Sequence, residues 1–391
     1  GIDGRTPHLS SALRRSVPIV GDVEIFAQAL NEAVLVTDMP HPKIIAITGS
    51  NGKSTVTAMT GEIASAADQH TIVAGNIGLP VLDALTRIEE GEAWPAVFVL
   101  ELSSFQLETT AGLNADAATV LNVTEDHLDR YDGISEYAAA KARIFEGEGT
   151  QILNRADARV MRMARTGRAC VTFGPEAPRN EREWGITDDA MLARGGERLL
   201  AVTRIPVAGR HNALNALAAL ALGDAIGLPM KSMLEGVQRF KGLPHRLEKV
   251  GEIHDVAFFD DSKGTNVGAT VAALSGMSTP VVLIAGGDGK GQDFSPLAAA
   301  VSARARAVVL IGRDADRIEA ALSGCAVPIH RSSSLEDAIA CAYAQSQRHD
   351  AVLLSPACAS YDMFRSYVHR GEMFVQGVHA LAARIAKGAP W

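Results

Sequence analysis

Cysteine is scarce and unpaired in this chain. Only four occur in 391 residues. Cys170, Cys325, Cys341 and Cys358 are scattered with no Cys-x-x-Cys pair. That excludes a disulfide scaffold, argues against a structural zinc site and suits a reducing cytoplasm. No apolar run is long enough to cross a bilayer; the most apolar helix expected, Ala213 to Leu222, is interrupted by Asn215. Positive charge is not in excess either: the net charge of −8 argues against a nucleic-acid or anionic-membrane binder. Tandem repeats, low-complexity runs and a signal peptide are missing. So is an initiator Met, and Gly1 reads as the middle of something, so the true N-terminus is expected to lie upstream.

What is present is an ordinary globular composition, 47% hydrophobic and 21% charged, with length for two or three domains. Residues 1–42 hold one expected strand, Val17 to Val20, and one helix, Val23 to about Leu30. This is too little for a core, and reads as the remnant of an N-terminal α/β domain. From Lys43 strands and helices alternate to a helix over 211–226. That pattern predicts a central P-loop-type α/β domain, residues 43–242, with a mostly parallel sheet. Its expected strands include Val97–Leu102, Ala117–Thr124 and Gln151–Asn154. Ala74 to Pro80 reads as a turn-rich loop, and Phe240 to His245 as a link. Alternation restarts over 243–391, with strands at 256–260, 281–285, 307–311 and 351–355. This predicts a doubly wound, Rossmann-like domain with ligands at the carboxyl ends of its strands.

The chain is organised around Lys43-Ile-Ile-Ala-Ile-Thr-Gly-Ser-Asn-Gly-Lys-Ser-Thr55. A β-branched strand turns on Gly49 and Gly52 and enters a helix near Ser54. Glycines let backbone N–H groups approach phosphate oxygens, the helix N-terminus and Lys53 supply positive charge, and Ser54 is a potential Mg²⁺ ligand. The bland alternative is an ordinary strand-to-helix turn. Glu101 ends a hydrophobic strand; alone it would be a solvated loop residue, but beside Lys53 and Ser54 it suits a metal ligand. His127, in Asp126-His-Leu-Asp-Arg130, follows the third strand and suits a metal or an acidic substrate. Lys141 would ordinarily be a solvated helix lysine. Asn212 is explained by helix capping or by a nucleotide contact, and residue type does not decide. Asp261, Lys263 and Thr265 cluster at a strand end. Lys290 tips a glycine-rich loop. Cys358 has no histidine partner nearby in sequence and reads as inert.

Taken together, Gly49-Ser-Asn-Gly-Lys-Ser54, Gly75-Asn-Ile-Gly78, Glu101-Leu-Ser-Ser-Phe-Gln106, Asn122-Val-Thr-Glu-Asp-His127, Lys141, His211-Asn212, Leu243-Pro-His-Arg246, Asp261-Ser-Lys263 and Ser355-Pro-Ala-Cys-Ala-Ser360 resemble the Mur ligases from about residue 17 to the C-terminus. The resemblance implies three domains: a uridine-nucleotide domain of which residues 1–42 are the end, an ATP domain and an amino-acid domain. It implies ATP bound by Gly49, Asn51, Gly52, Lys53, Ser54 and Thr55, with Asn212, Asn215, Arg246 and Asp261 around the nucleotide. Two Mg²⁺ are implied, one on Ser54 and Glu101, a second served by His127 and a carbamylated Lys141. Lys53, His127 and Lys141 would be catalytic. Asn76 and Ser103 would contact the muramoyl substrate. Lys263, Thr265, Lys290 and Ser360 would line the amino-acid side, beside Tyr361 and Tyr367.

The implied reaction adds D-glutamate to UDP-N-acetylmuramoyl-L-alanine through an acyl phosphate, in cytoplasmic peptidoglycan precursor synthesis and hence cell-wall growth, shape and division. The ATP and D-glutamate groups would lie on different domains, so closure is expected before chemistry. A monomer is expected, without nucleic-acid or membrane partners. Rivals are a sister ligase adding L-alanine, a diamino acid or a dipeptide, a folylpolyglutamate synthetase, a non-catalytic nucleotide binder, and a P-loop kinase, which would leave residues 244–391 unexplained.

Overall fold

The computed structural model describes residues 6, 11, 14–37, 39–127, 130–207 and 209–387. They form two compact units. The first comprises residues 1–124, 130–207 and 212–241; the second comprises residues 125–129, 208–211 and 242–391.

The first unit is built on nine strands: β1 (Lys43–Thr48), β2 (Thr71–Gly75), β3 (Val97–Glu101), β4 (Ala117–Val120), β5 (Thr150–Asn154), β6 (Cys170–Phe173), β7 (Glu183–Ile186), β8 (Met191–Arg194) and β9 (Glu197–Ala201). Their order in the sheet is β2-β3-β1-β4-β5-β6-β7-β8-β9. Pairings from β2 to β7 are parallel; β7-β8 and β8-β9 are antiparallel. The central strands β3 and β4 are buried along their whole length, as their unbroken apolar runs require when helices cover both faces. The helix Lys53–Ala66 packs against Met230–Arg239, an element the sequence reading missed. A Cβ on Gly236 would lie 2.6 Å from Ile63 Cα, so the two helices approach backbone to side.

Near the start, the expected helix is longer, Asp22–Thr37, and buries Val23, Phe26, Ala27 and Leu30. Phe26 meets Phe98 of β3 edge to face at 5.0 Å. The expected strand Val17 to Val20 does not form. Pro18 has no N–H to donate, and Val17 and Val20 are half exposed. Two other boundaries move. Ala74 and Gly75 end β2 rather than begin a loop, and the expected strand Ala117–Thr124 stops at Val120.

The second unit is a six-stranded sheet of β10 (Glu248–Ile253), β11 (Val256–Asp260), β12 (Val281–Gly286), β13 (Ala305–Ile311), β14 (Ile329–Arg331) and β15 (Ala351–Leu354). The order is β10-β11-β15-β12-β13-β14, parallel except for β10 on β11. β10 and β14 are the edges, and neither was legible as a strand. Both are polar and partly exposed, as edge strands are. The fold class expected from the alternation is the one observed.

Candidate functional site

The phosphate loop departs from the carboxyl end of β1. Gly49 (φ 155°) and Gly52 (φ 84°) take backbone conformations that side chains disfavour. Space is tight as well: a Cβ at Gly49 would lie 3.0 Å from Leu121 Cβ, and one at Gly52 2.8 Å from Asn215 Oδ1, so a neighbour would have to shift. The helix Lys53–Ala66 begins on Gly52 with no side chain capping it. A helix N-terminus of this kind presents its N–H groups and the positive end of its dipole towards the loop. Lys53 Nζ lies over the loop, 2.9 Å from the carbonyl oxygens of both Gly49 and Ser50.

Asn122, two residues past β4, grips the loop from the side. Its Oδ1 accepts from Asn51 N–H at 2.8 Å, and its Nδ2 donates to Asn51 O at 3.0 Å. Ser50 N–H donates to Asn122 O at 2.9 Å, and Ser50 Oγ–H to Thr124 O at 3.0 Å. The loop is thus fixed by the segment after β4, a role the sequence reading did not give to Asn122.

Register brings the acidic residue to the same place. Ile47 of β1 pairs with Glu101 of β3, so the carboxylate stands at the strand ends from which the loop leaves. Glu101 is 2% exposed. Asn76 Nδ2 donates to its Oε1 at 2.8 Å, while its Oε2 is buried and has no hydrogen-bond partner among the described residues. A buried carboxylate oxygen without a donor is costly unless a cation or ligand satisfies it. With the buried Ser54 hydroxyl at the helix start, this donor set fits a hard, oxygen-seeking ion such as Mg²⁺. Ser103 spends its hydroxyl in a capping box with Gln106 on the short helix Ser104–Leu107.

Lys141 is not a solvated helix lysine; it is 1% exposed. Its Nζ donates to Gly49 O at 2.9 Å and Thr48 Oγ1 at 3.4 Å, and lies 4.5 Å above the Tyr137 ring. Asn212 does not cap its helix. The helix starts at Arg210, and Asn212 sits within the first turn, accepting from Asn215 Nδ2 at 3.1 Å. Lys53, Ser54, Asn76, Glu101, Lys141 and Asn215 are therefore gathered around one loop. His127 belongs to residues 125–129, which group with the second unit. It adopts a left-handed backbone (φ 55°), with its N–H donating to Asp126 Oδ1 at 3.0 Å.

In the second unit the expected residues lie just past the carboxyl ends of β11, β12 and β15. Asp261 Oδ2 accepts from Ser355 Oγ–H at 2.7 Å. Burial pushes its carboxyl up to about 7, against the opposing pull of that bond and of the Arg246 charge. Lys263 Nζ lies 3.9 Å from the centre of the Tyr367 ring, a cation–π pair joining two residues predicted for the amino-acid side. Lys290 has a left-handed backbone (φ 49°), with its N–H bound to Asp288 Oδ1 at 3.0 Å. Ser360 is buried, whereas Tyr361, expected beside it, is 75% exposed. Thr265 is half-buried next to Asn266, which caps the helix Val267–Gly276. Burial raises the Cys358 thiol to about 12, in keeping with an inert cysteine.

Arg370 escaped the sequence reading. It is 1% exposed and ties the ends of β11 and β15 together. Its guanidinium donates to Ser262 O at 2.8 Å, Ser262 Oγ at 3.0 Å and Cys358 O at 3.2 Å. Burial lowers it to about 10, so it stays charged at neutral pH. Its signal was faint: one arginine early in a C-terminal helix.

Known proteins match both units. Residues 47–223 match the Mur ligase middle domain, and residues 245–358 the Mur ligase, glutamate ligase domain. The UDP-N-acetylmuramoylalanine–D-glutamate ligase of Thiobacillus denitrificans is 55% identical, covering 99% of this chain and 83% of that one. The enzyme of that name from Aromatoleum aromaticum is 54% identical over 97% of this chain and 82% of its own length. Among solved structures, MurF of Acinetobacter baumannii superposes with a TM-score of 0.68 at 19% identity, covering 92% of this chain and 80% of that one. Folylpolyglutamate synthase of Mycobacterium tuberculosis gives 0.62 at 18% identity, covering 92% and 95%. At such low identity the structures speak for the fold; the close relatives and the domain matches speak for the family. This chain belongs to the Mur ligases.

Proposed function

We propose that the chain is an ATP-dependent ligase joining D-glutamate to UDP-N-acetylmuramoyl-L-alanine. The observation that carries this reading is the 55% identity, over 99% of the chain, to a ligase named for that reaction. The phosphate loop, the orphaned Glu101 oxygen and the buried Lys141 support the chemistry. Residues 43–242 would form the ATP domain, 243–391 the amino-acid domain, and 1–42 the end of a uridine-nucleotide domain. A cytoplasmic monomer is part of the proposal. Among the described residues no helix is long and apolar enough to cross a membrane.

A carboxylate resists attack by an amine because its leaving group would be oxide. The L-alanine carboxylate of the substrate therefore first attacks the γ-phosphorus of ATP, expelling ADP and forming an acyl phosphate. The D-glutamate amine then attacks the acyl carbon, and phosphate leaves with the former carboxylate oxygen. Two anions must meet in the first step. Lys53 and the N–H groups around Gly52 would hold the β/γ phosphates and offset the developing charge. Ser54 and Glu101 would hold one Mg²⁺, and His127 with a carbamylated Lys141 a second; the ions supply Lewis-acid neutralisation of phosphate charge. Asn51, Thr55, Asn212, Asn215, Arg246 and Asp261 would surround the nucleotide. Asn76 and Ser103 would face the muramoyl substrate. Lys263, Thr265, Lys290 and Ser360, with Tyr361 and Tyr367, would receive D-glutamate, whose carboxylates suit lysines and hydroxyls.

Isotope transfer tests the two steps. With ¹⁸O in the L-alanine carboxylate, each turnover should place one ¹⁸O in the released phosphate. Unlabelled phosphate would mean that ATP is hydrolysed without acyl phosphate formation.

A further inference from the structure

The geometry points to a positioning pair, Asp260 and His245, that holds Arg246 and the Lys263 loop in place for the reaction. The role rests on the ligase reading above. Asp260, the last residue of β11, is fully buried. Its Oδ1 accepts from Ser262 N–H at 2.8 Å, and its Oδ2 lies 2.7 Å from His245 Nδ1. His245 sits between Pro244 and Arg246 with a left-handed backbone (φ 61°), a conformation that needs its surroundings to hold it. The ring supplies that hold. The backbone is tied at both ends as well: His245 N–H donates to Glu248 Oε2 at 3.0 Å, and His245 O accepts from Lys263 N–H at 3.1 Å. The imidazole also meets the Tyr367 ring edge to face at 6.4 Å, the ring over which Lys263 Nζ lies.

These three groups, His245, Glu248 and Asp260, are near enough to one another for a metal ion. However, Glu248 Oε2 and Asp260 Oδ2 are already engaged with His245, which favours a hydrogen-bonded anchor over a metal centre. A second feature comes from the C-terminal helix Tyr367–Ala386. A Cβ on Gly371 would lie 2.2 Å from His245 Nδ1 and 2.7 Å from Asp260 Oδ2. The helix is thus notched where the pair sits. Neither Asp260 nor Gly371 has an assigned ligand, yet both fix the residue from which Arg246 departs and to which Lys263 is bonded.

Full-length protein carrying Asp260→Ala, Asp260→Asn or Gly371→Ala tests this by steady-state kinetics. Asp260→Ala and Gly371→Ala should raise KM for ATP and D-glutamate and lower kcat/KM for both by roughly 10- to 100-fold, as misplaced binding groups do. KM for the UDP-linked substrate should stay unchanged. Asp260→Asn should remain within about threefold of wild type, because its Oδ1 still accepts from Ser262 N–H and its Nδ2 donates to the other His245 tautomer. A merely destabilised fold would lower kcat for all substrates and move no KM. The role would be overturned by that pattern, by wild-type kinetics in the alanine variants, or by Asn failing as badly as Ala. Wild-type protein with no ATP-dependent turnover would instead overturn the ligase reading itself.

Discussion

Lys53→Ala should abolish ATP turnover while leaving the fold intact. Lys53 carries the one full positive charge within the phosphate loop, at the start of the helix Lys53–Ala66, and its ammonium already lies on the loop's concave carbonyls. Removing one preorganised donor from a developing oxyanion costs on the order of 10²–10³ in rate. Removing a full charge from between two phosphates should reach at least about 10³. The structural cost is smaller. The two hydrogen bonds lost are intraloop and part-buried, and each net bond is worth about 1 kcal/mol. Phosphate-release assays beside a thermal melt separate the effects. Turnover equal to wild type, with a normal melt, would remove the phosphate-loop assignment.

Lys141→Ala should be nearly as severe, for two superposed reasons. Lys141 is buried and shares Gly49 O with Lys53, so its removal costs that carbonyl one of two ammonium donors and leaves a void beside Tyr137. A lost net hydrogen bond costs about 1 kcal/mol in stability, and the void adds to it. The larger loss should be in chemistry, where a carbamate would turn the lysine from a cation into a carboxylate-like ligand. Free short-chain carboxylic acids should then restore part of the activity of Lys141→Ala, by standing in for the missing carboxylate. High bicarbonate should not, since no amine remains to be carbamylated. The melting temperature should stay low in the rescued enzyme, which separates chemistry from packing. Full activity in Lys141→Ala would end the carbamate reading.

Much of this arrangement was legible because buried parallel strands announce themselves. Ile44 to Ile47, Val97 to Leu100, Val281 to Ala285 and Ala351 to Leu354 are unbroken apolar runs, and each is a strand. Edge strands have no such signature; Glu248–Ile253 is mostly polar and was not read as a strand. Val17 to Val20 misled for the opposite reason, a β-branched composition that is interrupted by Pro18 and left half exposed. In the site, Lys53, Ser54 and Glu101 were readable because glycine turns and strand ends fix their surroundings locally. What holds them was not. Asn122 gripping Asn51, Arg370 joining two strand ends and Asp260 pairing with His245 are contacts between residues that lie 15 to 108 positions apart in sequence. Their residue types are common on any surface. Asn212 shows the limit of a local rule: capping and a nucleotide contact both suited its residue type, and the fold pairs its Oδ1 with Asn215 Nδ2.

The most direct measurement is phosphate release by the full-length gene product with ATP, Mg²⁺ and UDP-N-acetylmuramoyl-L-alanine, comparing D-glutamate with L-glutamate, L-alanine and a diamino acid. Release that requires D-glutamate is the predicted result. Release that requires one of the other amino acids would contradict the proposed specificity and move the chain to a sister ligase. No release with any of them, from protein that still binds ATP, would contradict the ligase account.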